Sequence, residues 1–134
     1  MTLVECELSR VIMSETRDHQ VLELKERDGE RRMPIVIGPF EVWAIHRTIN
    51  NVPFPRPMTH ELFGNVLEAL DVRIEKVIIN ALREGTYYAR LILQQNGTTF
   101  DIDSRPSDAV ALAVQKGAPL FVEEEVLAEA SADF

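Results

Sequence analysis

The chain has 134 residues and a formal net charge of −8, because 22 Asp and Glu outnumber 14 Lys and Arg. This sign excludes a protein that tracks phosphate backbones over a broad basic surface, so any contact with DNA or RNA must be local or helped by bound cations. No apolar run approaches the roughly 20 residues needed to cross a bilayer, which excludes a helical membrane anchor.

The first half of the chain begins with strand patterns. Residues 3–12 alternate and predict a strand in which Cys6 is a buried small hydrophobe. Cys6 is the only cysteine, so no intramolecular disulfide is expected. The first residues enter this strand without a signal segment, and together these features favour a cytoplasmic location. Residues 19–26 and 33–37 predict two further strands.

A helix is predicted over residues 39–50. Gly38 stands at its N-cap, Pro39 at the first helical position and Glu41 at the third, which is a typical helix start. Its apolar residues are expected to pack into the core rather than to form a base-stacking platform; they include Phe40, Trp43, Ala44 and Ile45.

The second half repeats this pattern after a stiff loop that holds three prolines. Thr59 is expected to cap a junction helix over 59–70. Asn96-Gly97 is a hairpin signal, and Gly117 is expected to end a helix over 106–116. The remaining predicted elements are strands over 72–82, 87–95, 98–103 and 119–122, followed by a short acidic helix.

The two halves are related by a constant offset of 67 residues, half the length of the chain. Ile102 corresponds to Ile35 and Pro106 to Pro39. The pattern predicts one domain over 1–134. Within it, a β-β-β-α unit is duplicated, with its two copies over about 1–50 and 68–122. Residues 109–114 are apolar all round, so their helix must be covered on two sides. We therefore expect an α+β fold in three layers, β/α/β, with central helices between two mostly antiparallel sheets.

Three carboxylates near the last long helix are candidates for chemistry. Asp101 and Asp103 lie two apart on a strand, so they share one face, and Asp108 follows in the first turn of the next helix. Together they predict a site for a hard divalent cation, Mg²⁺ or Mn²⁺, with Asp101 and Asp103 acting in catalysis. Alternatively, Asp108 and its counterpart Glu41 are structural and bond back to the N-cap amide of their helices.

An anion site is predicted beside these carboxylates. Arg105 precedes the helix N-terminus and can hold a phosphate, with Ser104 and Ser107 as further donors. The alternative for Arg105 is a salt bridge to Asp103 or Asp108. The repeat separates residues that start a helix, which both halves share, from residues expected to have a function. The latter are four polar residues without a polar counterpart in the first half: Asp101, Asp103, Ser104 and Arg105.

His60 is the candidate for proton transfer. It lies at the start of the junction helix, four residues after Arg56, which is a further candidate for phosphate binding. A local structural hydrogen bond is the alternative role for His60. The histidine spacings do not suggest a zinc site, and no Walker or dinucleotide motif indicates an organic cofactor.

Three segments resemble the bifunctional nuclease domain family: residues 56–62, 85–89 and 101–113, of which the last contains Arg-Pro-Ser-Asp-Ala. The resemblance extends from about Glu5 to Leu127. It implies a duplicated three-strand-plus-helix unit in β/α/β layers and a possible metal-assisted nuclease acting on DNA or RNA.

Two functions remain open. One is hydrolysis of phosphodiester bonds in DNA or RNA, in which Arg105 binds the phosphate and His60 assists proton transfer. The other is a non-catalytic interaction or regulatory module that binds an anion or a protein partner, an alternative favoured by the acidic net charge. A homodimer is expected in either case, because several strand edges must be covered.

Overall fold

Strands and helices follow the chain in the predicted order. The computed structural model describes residues 2–14, 20–53 and 55–132, so His19, the predicted start of the second strand, lies outside them. Where the first and last residues of a strand or helix were predicted, they differ from those in the structure by at most one residue. The described elements are β1 (Leu3–Ile12), β2 (Gln20–Glu26), β3 (Arg32–Ile37), α1 (Pro39–Ile49), α2 (Thr59–Ala69), β4 (Arg73–Arg83), β5 (Thr86–Gln95), β6 (Thr98–Ser104), α3 (Pro106–Lys116), β7 (Leu120–Glu123) and α4 (Glu124–Ser131).

One sheet contains all seven described strands, in the order β3-β2-β1-β7-β4-β5-β6. The expectation of two sheets was wrong, and the reason is β7. Leu120 of β7 pairs with Cys6 in antiparallel β1 and with Val77 in parallel β4, so this short strand joins the two halves. The remaining pairs are antiparallel, as expected. The fold is α+β, but the three-layer arrangement is not confirmed.

Each half contains a three-stranded antiparallel meander followed by a helix with proline at its start. These shared features agree with the predicted repeat, while the duplication itself stays a prediction. Cys6 is buried as expected, and burial raises the pKa of its thiol to about 11. No helix among the described residues is long and apolar enough to cross a membrane.

Helix α3 lies at the centre of the core. Its apolar stretch from 109 to 113 is buried, as expected for a helix that is covered on two sides. It packs against α1 and α2 and against strands β3, β4 and β5. Since β3 and β5 are far apart in the strand order, the sheet must curve around the helix for both to reach it. Gly117 ends α3 in the left-handed conformation, with φ of 65°.

Several apolar side chains that were expected in the core face solvent. Phe40 is 86% exposed and Trp43 is 53% exposed, whereas Val42 and Ile45 on the other side of α1 are buried. Helix α1 therefore has two apolar stripes, and only one is covered, mainly by α3 and to a smaller extent by β2. Exposed apolar side chains also lie on α2, at its C-cap and on the edge strand β6: Leu62, Phe63, Val66, Leu70, Phe100 and Ile102.

Candidate active site

The first turns of α2 and α3 bring three predicted site residues together. His60 is the second residue of α2, Asp108 is the third of α3, and Arg105 is the N-cap of α3. His60 Nε2 lies 2.7 Å from Asp108 Oδ1, although the two residues are far apart in sequence. Helix α2 packs on α3, and Pro106 fixes the start of α3, so both first turns are held by the core.

Asp108 is the centre of this cluster. Besides the contact with His60, its Oδ2 accepts a hydrogen bond from Arg105 Nε at 2.8 Å, and its Oδ1 accepts one from Nη2 at 3.1 Å. The hydrogen bond with His60, followed by those from Arg105, lowers the pKa of Asp108 to about 2. The carboxyl group is therefore ionised at neutral pH.

The charge on Asp108 determines the tautomer of His60. An ionised carboxylate can only accept hydrogen bonds, so the hydrogen of the contact must be on Nε2 of the histidine. In the neutral imidazole, Nδ1 then has no hydrogen and is free to accept a proton. The pair consequently has the form of an oriented general base.

Arg105 joins the two halves of the chain at this site. Its Nη1 donates to Glu41 Oε1 at 3.1 Å, while Nε and Nη2 are bound to Asp108. The predicted pairing with Asp108 is confirmed; Asp103 is not its partner. Both acidic residues use their carboxylates on the Arg105 side chain instead of the predicted N-cap amides: Asp108 within the start of its own helix, and Glu41 across from α1 to α3.

Arg105 also borders three clefts. Its side chain is 65% exposed. One cleft of about 590 Å³ runs past Gly38 and Tyr87, a second of about 490 Å³ past Trp43, and a third of about 500 Å³ past Ile102. His60 lines the second and the third. A ligand in either of these would meet both the histidine and the arginine.

The structure does not bring the three predicted metal ligands together. Asp101 Oδ1 accepts from Arg90 Nε at 2.7 Å, and Asp103 Oδ1 lies 3.5 Å from Arg90 Nη1. Asp103 and its neighbour Ile102 both line the third cleft with His60 and Asp108, whereas Asp101 is not part of its lining. Within the described ranges, no three His, Cys, Asp or Glu side chains are placed to hold one metal ion.

The other predicted residues lie around the cluster. Ser104 Oγ donates to the carbonyl oxygen of Arg105 at 2.8 Å, so it supports the loop before α3. Ser107 is buried and lines the first cleft. Arg56 is exposed in the loop before α2 and forms no ion pair in the part of the chain that is described.

An ion pair that sequence reasoning missed positions the start of α2. Buried Arg47 of α1 binds Glu61 through Nη2, and Glu61 also accepts from the backbone amide of Met58 at 3.0 Å. The amide bond and Arg47 lower the pKa of Glu61. Met58 is not a residue type that marks an N-cap in a sequence, and nothing in the sequence marks Arg47 as buried, so no local signal could have found this pair. Thr59 is the first helical residue rather than the cap.

Comparisons with known proteins place these residues in a wider context. The model of the bifunctional nuclease domain matches residues 22–134. An uncharacterized protein of Mycobacterium tuberculosis strain H37Rv is 42% identical over 118 residues, which cover 88% of this chain and 70% of that protein.

More distant relatives come from plants. Bifunctional nuclease 1 of Oryza sativa subsp. indica is 25% identical over 85% of the chain, and bifunctional nuclease 2 of Arabidopsis thaliana is 26% identical over 78%. The matched segments are 36% and 33% of these plant proteins, so the chain spans about a third of their length.

Proposed function

The chain belongs to the bifunctional nuclease domain family, and from this premise we propose that it hydrolyses phosphodiester bonds of DNA or RNA at the cluster of His60, Asp108 and Arg105. The observation that carries the proposal is the 2.7 Å contact between His60 Nε2 and the ionised carboxylate of Asp108, with a guanidinium group beside it. It supplies a base and a phosphate-binding cation within one cleft.

The proposed reaction uses this pair as follows. His60 Nδ1 accepts a proton from a water molecule whose oxygen attacks phosphorus. The bond from phosphorus to the leaving oxygen breaks, that oxygen takes a proton from solvent water, and His60 afterwards releases its proton to solvent, which restores the site. Asp108 keeps the imidazole oriented and stabilises its positive charge after proton transfer. Arg105 balances charge on the non-bridging phosphate oxygens.

Arg105 must exchange partners to bind a phosphate. Its three donor nitrogens already meet the carboxylates of Glu41 and Asp108. The arginine side chain is largely exposed although Glu41 is mostly buried, so an incoming phosphate can reach the guanidinium group and replace Glu41 by accepting two hydrogen bonds. The carboxylates hold the arginine in place until an anion arrives.

Metal assistance by Mg²⁺ or Mn²⁺ is a separate proposal. The residues do not fit the predicted three-carboxylate site, because Asp101 and Asp103 pair with Arg90 while Asp108 pairs with His60 and Arg105, and among the described residues the three do not form a group that could hold one metal ion. No step above is therefore assigned to a metal. Cleavage assays with Mg²⁺, with Mn²⁺ and with EDTA test the requirement directly.

The decisive experiment measures cleavage of single-stranded DNA and RNA by purified protein. We expect His60→Ala and Arg105→Ala to lose activity by about 10²-fold or more, while circular dichroism shows an unchanged fold. Arg90→Ala is the matched control, since it removes an arginine that binds carboxylates outside the cluster. Equal activity of Arg105→Ala and Arg90→Ala would contradict the proposed site.

A non-catalytic interaction module is the second candidate, and one observation favours it. Leu62, Val66 and Leu70 are spaced by one helical turn on α2, and all three are exposed. We propose that this stripe pairs with a second copy of the chain, which gives the homodimer expected from the sequence. Sedimentation of the wild type and of Val66→Glu tests it: the variant should be monomeric.

A further inference from the structure

Trp43 has an environment that core packing does not explain. The indole is 53% exposed, and Phe40, nearly one turn earlier on the same helix, is 86% exposed. Exposed aromatic pairs of this kind are unfavourable in water and often mark a binding surface. Exposure alone does not identify a ligand, so the surroundings of Trp43 must do so.

The cleft beside Trp43 combines an aromatic wall with a cation. It has a volume of about 490 Å³ between α1 and the start of α2, within the range of sites that bind small molecules. Phe40, Trp43 and Met58 line its apolar side, and His60 and Arg105 line its polar side together with Glu41, whose carboxylate holds Arg105 and would be displaced by a bound anion. A ligand that fills it must carry both a flat apolar group and a negative charge.

The aromatic wall is held in position by its neighbours. The imidazole of His46 packs perpendicular to the indole of Trp43, with ring centroids 5.7 Å apart. Below the cleft, buried Arg47 binds Glu61 and so fixes α1 relative to α2. The spacing between Trp43 and the cluster at Arg105 is therefore set by packed elements rather than by a loop.

We propose that this cleft is a subsite for an unpaired nucleobase, which stacks on Trp43 while the adjoining phosphate binds Arg105. The proposal rests on the proposed nuclease function and names its substrate more closely: a single strand. Bases in a duplex are stacked and paired, whereas an unpaired base offers its face to an aromatic side chain. A contact limited to one or two nucleotides also suits a chain with a net charge of −8.

Trp43 is itself the reporter for the test, because it is the only tryptophan in the chain. A short oligothymidylate with phosphorothioate linkages should quench its fluorescence. An abasic oligonucleotide of the same length carries the same phosphates without bases, and a duplex hairpin carries bases that are paired. Both should quench much less at the same concentration.

Variants separate stacking from general binding. Trp43→Leu should weaken binding of the labelled oligothymidylate by about tenfold in fluorescence anisotropy, while Trp43→Phe keeps a ring and most of the affinity. Phe100→Leu is the matched control, because it removes an exposed aromatic from β6 instead. Its affinity should equal that of the wild type.

Three results would overturn the subsite. The protein could bind the abasic strand as tightly as oligothymidylate, or Trp43→Leu could bind oligothymidylate as tightly as the wild type. Alternatively, the Trp43 emission could shift with protein concentration alone and not respond to oligothymidylate. The last would mean that a second copy covers the indole. Loss of the nuclease function is a distinct outcome: quenching without any cleavage would refute hydrolysis and leave the subsite standing. Cleavage of normal and abasic strands at equal rates would instead refute the subsite and support hydrolysis.

Discussion

Arg105 and Glu41 lie 64 positions apart in sequence, and Nη1 of the arginine donates to Oε1 of the glutamate at 3.1 Å. In the offset that relates the two halves, Glu41 is the counterpart of Asp108, which binds the same guanidinium group from the other side. Two equivalent helix starts thus converge on one arginine. The carboxylates occupy the donors that a phosphate would use, so they compete with it.

The first prediction concerns this competition. Glu41→Gln removes one competing charge, so the affinity of the protein for inorganic phosphate should rise by about two- to fivefold. Isothermal titration calorimetry measures the dissociation constant. Glu30→Gln removes the same charge from the turn before β3 and should change the affinity much less. A weaker affinity in Glu41→Gln would show that Glu41 supports the anion site instead.

The second prediction is a pH dependence of stability. The pKa of Asp108 is lowered from 3.8 to about 2 in the folded protein, so its ionised form is favoured by folding. Its contribution is complete above the unfolded pKa of 3.8 and is lost as the pH falls towards 2. It amounts to about 2 kcal/mol at most.

Asp108→Asn tests this contribution by urea unfolding between pH 2 and 7. The wild type should be more stable than the variant at neutral pH, and the difference should shrink below pH 4. Other acidic groups, Glu23 and Glu124 among them, also have lowered pKa values, so their protonation at low pH removes the same stability from both proteins. Parallel curves over the whole range would mean that Asp108 gains nothing from ionisation in the folded state.

The third prediction reverses a role assigned from the sequence. Asp101 and Asp103 lie on the edge strand β6 and pair with Arg90 of β5. Replacing both by Asn should therefore leave cleavage within about twofold of the wild type. Removing charge from an open edge should instead promote association between chains. Light scattering measures it, and Asp28→Asn in the β2–β3 turn is the control. A large loss of cleavage would restore the catalytic assignment.

The fourth prediction concerns the end of α3. Gly117 has a φ of 65°, and a Cβ atom there would meet nothing within 4 Å, so the cost of a substitution is that of the backbone alone. We expect Gly117→Ala to lower the free energy of unfolding by about 1 kcal/mol, and Gly117→Asn by less, because Asn tolerates the left-handed region. Equal stability of both variants with the wild type would contradict this.

The helix starts could be predicted from sequence because their signals are local. Gly38-Pro39 and Arg105-Pro106 each define a first turn within a few residues, and α1 and α3 begin where expected. The pairing of Arg105 with Asp108 could also be predicted from local sequence, because the two residues are one helical turn apart. Its second partner, Glu41, depends on the packing of α1 against α3 and has no local signal.

Burial was less predictable than secondary structure. Periodicity shows that α1 has apolar residues, but it does not show which stripe packs against α3, so Phe40 and Trp43 were wrongly assigned to the core. The number of sheets was missed for a similar reason. The residues of β7 predict a strand, and only the folded chain shows that both of its edges are paired.

The position of β7 has a consequence for synthesis. This strand comes after the six others in the chain, yet it is the one that stands between β1 and β4. On a ribosome, the two meanders emerge first and cannot be joined until residue 123 has left the exit tunnel. Until then each presents an open strand edge, and the nascent chain is exposed to pairing with its neighbours.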